Sequence, residues 1–224
     1  MVASHRMAVY GGTFDPVHNG HVEVARRILK LFELDEVVFM PAYVAPHKMK
    51  ASVSPAFHRY AMLALATQDD EWLKISTAEL EAPELPYTVE TIARLKAESG
   101  EATRLFFIMG ADSWSEITTW RDWQRLLGLC DYIIITRPGY DLKPESVPVA
   151  AENIVDTRGL DHERMAVHLS EDKKLRVFVT DAVMLDISAT EVRAVARAGD
   201  RERLRKLVPP RVAEYIEKYR LYGN

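Results

Sequence analysis

The chain has little of what would mark several large classes of protein. Its single cysteine, Cys130, among 224 residues allows no intramolecular disulfide and excludes a zinc site built from several thiolates. Such sparing use of cysteine fits a reducing compartment, so a cytoplasmic protein is expected. No apolar run approaches the roughly 20 residues of a membrane-spanning helix. Met1–Arg6 lacks the apolar stretch of a secretory signal. Basic excess is missing too: 29 Lys and Arg against 33 Asp and Glu give a formal net charge of −4. The positive footprint of a nucleic-acid binder is therefore absent, and neither nucleic acid nor membrane is an expected partner. A polyanionic ligand would have to be met by a local cluster of positive groups. Repeats at solenoid periods and low-complexity tracts are lacking as well.

What is there is the composition of a globular domain, 48% hydrophobic and 28% charged. Short apolar runs alternate with helical patterns. Strands are expected at Met7–Tyr10 (ended by Gly11 and Gly12), Glu36–Met40 (stopped by Pro41), Leu73–Ser76, Leu105–Met109, Tyr132–Ile135 and Leu175–Val179. Helices are expected over Asn19–Phe32, Pro55–Thr67 with Ser54 as cap, Val89–Glu98 closed by Gly100, Ser188–Arg197 and Pro210–Arg220. The polar stretch Asp141–Lys174 reads as a long connection with a little structure of its own. The alternation predicts an α/β fold, Rossmann-like and doubly wound. Its mostly parallel sheet would carry helices on both faces, with a core over 7–186 and a small C-terminal helical portion over 187–224. In such sheets ligands bind beyond the carboxyl ends of the strands.

The loop after the first strand is the most unusual segment: Gly11-Gly12-Thr13-Phe14-Asp15-Pro16-Val17-His18-Asn19-Gly20-His21. Two glycines permit close backbone approach to a ligand. His18 and His21 share one side of the following helix's first turn, where free N–H groups and the helix dipole favour an anion. Gly20 between them leaves room for a flat ring or a sugar. Taken alone, an HxxH pair also reads as two surface histidines, or as half of a metal site whose other ligands are missing. Further along, Ser188 is placed to cap a helix, with Thr190 and Arg193 one turn on. Together they can converge on a phosphate, or simply form a capped helix with a solvated arginine. Asp112 follows a strand and can accept from ribose hydroxyls or make an Asx turn. Trp72, Trp114, Trp120 and Trp123 read as packing residues. Arg59 reads as a helix-surface charge, and Cys130 as inert packing.

The eleven-residue string GGTFDPVHNGH resembles the signature of the HxGH nucleotidylyltransferase superfamily, and more narrowly the bacterial nicotinate-mononucleotide adenylyltransferases. The resemblance continues along nearly the whole chain. It includes the segment Pro41–Lys48 ending in Pro46-His47-Lys48, Leu85-Pro-Tyr87-Thr88, and Gly110-Ala-Asp112-Ser113 followed by Trp120 and Trp123. Thr136-Arg137-Pro138-Gly139 and Ile187-Ser188-Ala189-Thr190-Glu191-Val192-Arg193 complete it. Ala45 stands where a second proline is common, and Ala189 where a serine is frequent.

The resemblance implies adenylyl transfer from ATP to nicotinate mononucleotide, with Mg²⁺ carried on the ATP phosphates and no dedicated protein metal site. It implies His18, His21, Lys48 and Arg193 as the catalytic set. Gly11, Gly12, Thr13, Phe14, Gly20, Gly110, Asp112, Ile187, Ser188 and Thr190 would join His18, His21 and Arg193 around ATP. Thr13, Lys48, Tyr87, Thr88, Trp120 and Arg137 would hold the nicotinate nucleotide, with Trp120 stacked on the pyridine. Three alternatives stay open at this stage. They are a sister transferase acting on another phosphate acceptor such as phosphopantetheine, a form preferring the amide mononucleotide, and a non-catalytic nucleotide sensor. A homodimer is the assembly left open.

Overall fold

The computed structural model describes residues 5–43, 53–82, 86–136, 149–160, 162–170, 175–181 and 187–223. Seven strands form one sheet: β1 (His5–Gly12), β2 (Glu36–Pro41), β3 (Leu73–Ile75), β4 (Thr103–Gly110), β5 (Asp131–Ile135), β6 (Ile154–Asp156) and β7 (Val177–Thr180). Their order is β3-β2-β1-β4-β5-β7-β6, and each neighbouring pair is parallel. The chain winds outward from β1 through β2 to β3, then returns to lay β4 on the other side of β1. The winding reverses between β1 and β4. Tyr10 lies opposite Ile108, so Gly12 and Gly110 end at the same edge.

Alternation along β1 sends Ala8 and Tyr10 to one face and Met7 and Val9 to the other. The first face is covered by α1 (Asn19–Leu31), α2 (Ala56–Thr67), α6 (His162–Ser170), α7 (Ala189–Arg197), α8 (Arg201–Leu207) and α9 (Pro210–Tyr219). The second is covered by α3 (Thr88–Ser99), α4 (Ala111–Ser115) and α5 (Trp123–Leu127). Burial on both sides explains why the central strands read as unbroken apolar runs rather than as alternating ones. Helices α7–α9 bring Val192, Val195, Leu204, Val208, Val212 and Ile216 into the same cluster as Val22, Ala25 and Ile28 of α1. The C-terminal portion is thus packed on the sheet's own core.

Several expectations are corrected. β1 runs through Gly11 and Gly12 instead of stopping at them, and Pro41 is the last residue of β2. Pro55, not Ser54, takes the N-cap position of α2, and no side chain caps it. The little structure expected within 141–174 is a 3-10 turn at Ala151–Asn153, the edge strand β6 and helix α6, though none of the three was placed from the sequence. A three-residue strand paired on one side carries too few apolar residues to register as a pattern. Helices α4, α5 and α8 were not expected either. α4 and α5 span five residues each and α8 seven, too short for a 3.6-residue period to show.

At the amino-terminal edge of the sheet, Asp131 is buried and paired with Arg104 at 2.7 Å, and it accepts from the Arg176 backbone N–H at 2.9 Å. Burial pushes its carboxyl above the usual range, with Arg104 opposing. Removing one partner of a buried pair leaves the other charge uncompensated. Asp131→Ala is expected to lower the free energy of unfolding by about 3–5 kcal/mol, read by urea denaturation, with turnover per folded molecule unchanged. A loss below ~1 kcal/mol would show that Arg104 finds other partners.

Candidate active site

Beyond the carboxyl end of β1 the chain makes a tight loop, Thr13–His18, before α1 begins. Its shape is fixed by packing. Phe14 adopts a left-handed backbone (φ 50°) and lays its ring back over Gly12. A Cβ at Gly12 would sit 2.8 Å from that ring, and one at Gly11 2.9 Å from the Phe107 ring. The glycines are therefore required first by two aromatic side chains of the protein itself. The Asp15–Pro16 peptide is cis.

His18 occupies the N-cap of α1 with extended backbone, and Gly20 is buried in the first turn. The His18 backbone N–H donates to His21 Nδ1 at 3.2 Å. The two imidazole rings stack at 3.6 Å with 26° between their planes. Phe14 meets the His21 ring edge-on at 5.0 Å. Because Nδ1 of His21 accepts, the neutral ring carries its proton on Nε2.

The N-terminus of α7 is joined to this loop. Ser188, next to half-buried Ile187, caps the helix by accepting from the Glu191 backbone N–H at 3.1 Å. Arg193 donates to the Asp15 carbonyl at 2.7 Å and to the Thr190 hydroxyl at 3.1 Å. These two bonds leave the guanidinium three further N–H donors. The expected anion-binding segments, 11–21 and 187–193, are thus brought into direct contact.

Arg59 corrects its expectation outright. It is 1% exposed, and its guanidinium donates to the carbonyls of Ser54 (3.1 Å), Thr13 (2.8 Å) and Tyr43 (2.9 Å). Burial lowers its pKa below the ordinary guanidinium value, with Asp15, Tyr222 and Glu79 opposing. Asp15 is also buried. Its carboxylate accepts from the Ser54 backbone N–H at 3.1 Å and from the Tyr222 hydroxyl at 2.7 Å. Buried Glu79 is pushed up to about 7, chiefly by burial, while the Tyr43 backbone, Arg59 and Thr91 oppose. The burial of Arg59 and of Asp15 was not legible in the sequence, because an arginine at a helix start and an aspartate before a proline carry no local mark of it.

A second group lies at the same edge. Gly110, exposed, ends β4 and precedes α4, with Asp112 exposed in its first turn. Tyr87 is the N-cap of α3 and Thr88 its first residue. The Arg121 guanidinium sits 4.5 Å over the Tyr87 ring, and half-buried Trp120 precedes it on the flank of the second core cluster. Trp114 is fully packed. Arg121 was not singled out from the sequence. Lys48 and Arg137 lie outside the described residues, as do Ala45, Pro46, His47 and Leu85. Cys130 is buried and its thiol is pushed up to about 12 by burial, in keeping with inert packing. Among the described residues, no three His, Cys, Asp or Glu side chains cluster to hold a metal ion, and no helix is long and apolar enough to cross a membrane.

Comparison with known proteins shows the family and the fold. The cytidylyltransferase-like family matches residues 9–195. A "Probable nicotinate-nucleotide adenylyltransferase" of Thermoanaerobacter sp. (strain X514) is 36% identical over 97% of this chain and 94% of its own length. One of the same name from Symbiobacterium thermophilum is 38% identical over 97% and 95%. Among solved structures, the nicotinic acid mononucleotide adenylyltransferase of Plasmodium falciparum, complexed with NaAD, superposes with a TM-score of 0.68. It is 22% identical, covers 97% of both chains, and shares the fold. The chain belongs to the cytidylyltransferase-like family and, within it, to the nicotinate-nucleotide adenylyltransferases.

Proposed function

We propose that the protein transfers the adenylyl group of ATP to nicotinate mononucleotide, forming nicotinate adenine dinucleotide and pyrophosphate. The observation that carries this reading is the stacked His18–His21 pair at the start of α1, tied through Asp15 to Arg193 at the start of α7. The mononucleotide phosphate is already an anionic nucleophile near neutral pH. Its oxygen attacks the α-phosphorus, the bond to the bridging oxygen breaks, and pyrophosphate leaves with the electron pair. Catalysis then consists of alignment and of stabilising charge on the phosphates.

In this scheme His18 lies nearest the α-phosphate, and the Nε2–H of His21 donates to the phosphate chain. Arg193 and Lys48 hold the β and γ groups, with Ser188 and Thr190 as supporting donors and Ile187 beside them. Backbone of Gly11, Gly12, Thr13 and Phe14 frames the joining phosphates, and Gly20 admits them to the helix start. Gly110 and Asp112 receive the adenosine ribose. Trp120 stacks on the pyridine ring, Tyr87 and Thr88 meet its carboxylate, and Thr13 and Arg137 meet the mononucleotide phosphate. The imidazoles, guanidinium, hydroxyls and amides at this edge are partners for phosphate rather than an oxygen cage. Mg²⁺ would therefore be bound through ATP oxygens, where it supplies charge neutralisation. The Arg121 charge beside Tyr87 favours an acid over an amide in the same pocket.

The test is pyrophosphate release with ATP and Mg²⁺, offering nicotinate and nicotinamide mononucleotides in parallel. The acid is expected to turn over ~100-fold faster or more, and equal or reversed rates would sink the substrate assignment. His18→Ala should lose about 100- to 1,000-fold in kcat while keeping the wild-type circular dichroism. Full activity in that variant would remove His18 from the mechanism. Arg121→Gln is expected to narrow the acid-to-amide ratio in kcat/KM by about two- to five-fold, as suits an exposed charge. An unchanged ratio would leave selectivity to the helix start alone.

A further inference from the structure

The last turn of the chain does something its position does not suggest. Helix α9 ends at Arg220 in the left-handed region (φ 50°), and two residues later Tyr222 is left-handed as well (φ 67°). A bulky aromatic residue rarely adopts that conformation, and it persists where surrounding contacts over-determine it. The contact here is specific. The Tyr222 hydroxyl donates to Asp15 Oδ1 at 2.7 Å, across 207 positions of sequence. The other oxygen of the same carboxylate accepts from the Ser54 backbone N–H. The carbonyl of the same residue accepts from Arg193.

We propose that Tyr222 is a positioning residue for the nucleotide-phosphate site: through Asp15 its hydroxyl holds the loop that presents His18 and His21 in register with Arg193. The inference rests on the reading of those residues as the phosphate site. Asp15 lies three residues before His18 and is buried, so its carboxylate cannot fall back on water when a donor is withdrawn. Burial, with Asp15 beside it, pushes the Tyr222 phenol above its ordinary range, which keeps the hydroxyl protonated and donating. Arg59 anchors the opposite side of the loop at the Thr13 carbonyl. Removing the Tyr222 bond therefore frees one side of the loop, the side that faces Arg193. Tyr87 and Thr88 stand at the start of α3 and Trp120 after α4, away from these bonds.

Tyr222→Phe keeps the ring and deletes the donor. Its KM for ATP is expected to rise about five- to twenty-fold and its kcat to fall by a similar factor, as for loss of a bond to a buried charge. Its KM for nicotinate mononucleotide should stay within two-fold. The control is Val212→Ala, a buried residue of α9, which lowers the melting temperature and leaves both KM values alone. A purely structural role for Tyr222 would give the control's pattern, and that result overturns the proposal. So would a Tyr222→Phe enzyme with wild-type constants. If the wild-type protein turns over neither mononucleotide, the functional reading fails by itself. The positioning role is then decided by calorimetric binding of ATP with Mg²⁺, at least three-fold weaker affinity in Tyr222→Phe supporting it and equal affinity overturning it.

Discussion

Asp15 is buried at the carboxyl edge of β1, and a carboxylate taken out of water has to be met by donors and by opposite charge. Its two oxygens take the Ser54 N–H and the Tyr222 hydroxyl, and its backbone carbonyl takes Arg193. Three parts of the chain, distant in sequence, are fixed against one loop by a single residue. Arg59 does the complementary work with a buried cation. It holds three backbone carbonyls, one of them in the same loop and the other two at Tyr43 and Ser54. Those two residues flank the segment that contains Lys48.

The sheet supplies the place for that loop. Because β2 and β3 are laid down on one side of β1 and β4 on the other, the connections leaving β1 and β4 diverge at their carboxyl ends and open a crevice. Helices antiparallel to the strands point their N-termini to the same edge. His18, Tyr87, Gly110 and Ser188 are the N-cap residues of α1, α3, α4 and α7. Helix N-termini favour anions, which is how a protein with net charge −4 could present the phosphate site proposed here. The positive character is local, built from helix starts, stacked imidazoles and Arg193.

The division of labour across the edge is visible in what each group is bonded to. The His18–His21 and Arg193 side is cross-braced by partly buried hydrogen bonds, so its donors are held in place before any ligand arrives. The Tyr87–Arg121 side is more exposed and is held by a cation–π contact, of the kind worth ~0.5–1 kcal/mol at exposed sites. A rigid side beside a softer one suits the proposed reaction, in which alignment at phosphorus matters most.

The sequence by itself determined the parallel α/β architecture, because runs such as Leu105–Met109 are apolar on every residue and only a strand covered on both faces tolerates that. It also determined the histidine pair and the capped start of α7, whose spacing and residue types act within one helical turn. Tertiary structure alone decided the rest. Arg59 looks like any surface arginine of an amphipathic helix until Thr13, Tyr43 and Ser54 are folded around it. Tyr222 is an ordinary terminal tyrosine until α9 carries it back to Asp15. Gly11 and Gly12 are legible as glycines near a ligand, but the rings that require them, Phe107 and Phe14, are known only from packing. Edge strand β6 and the short helices α4, α5 and α8 escaped pattern reading because they hold too few residues for a period. The physical reason is common to all of them: local signals report what neighbours within a turn or a pleat can do, whereas burial and long-range hydrogen bonds are properties of the closed fold.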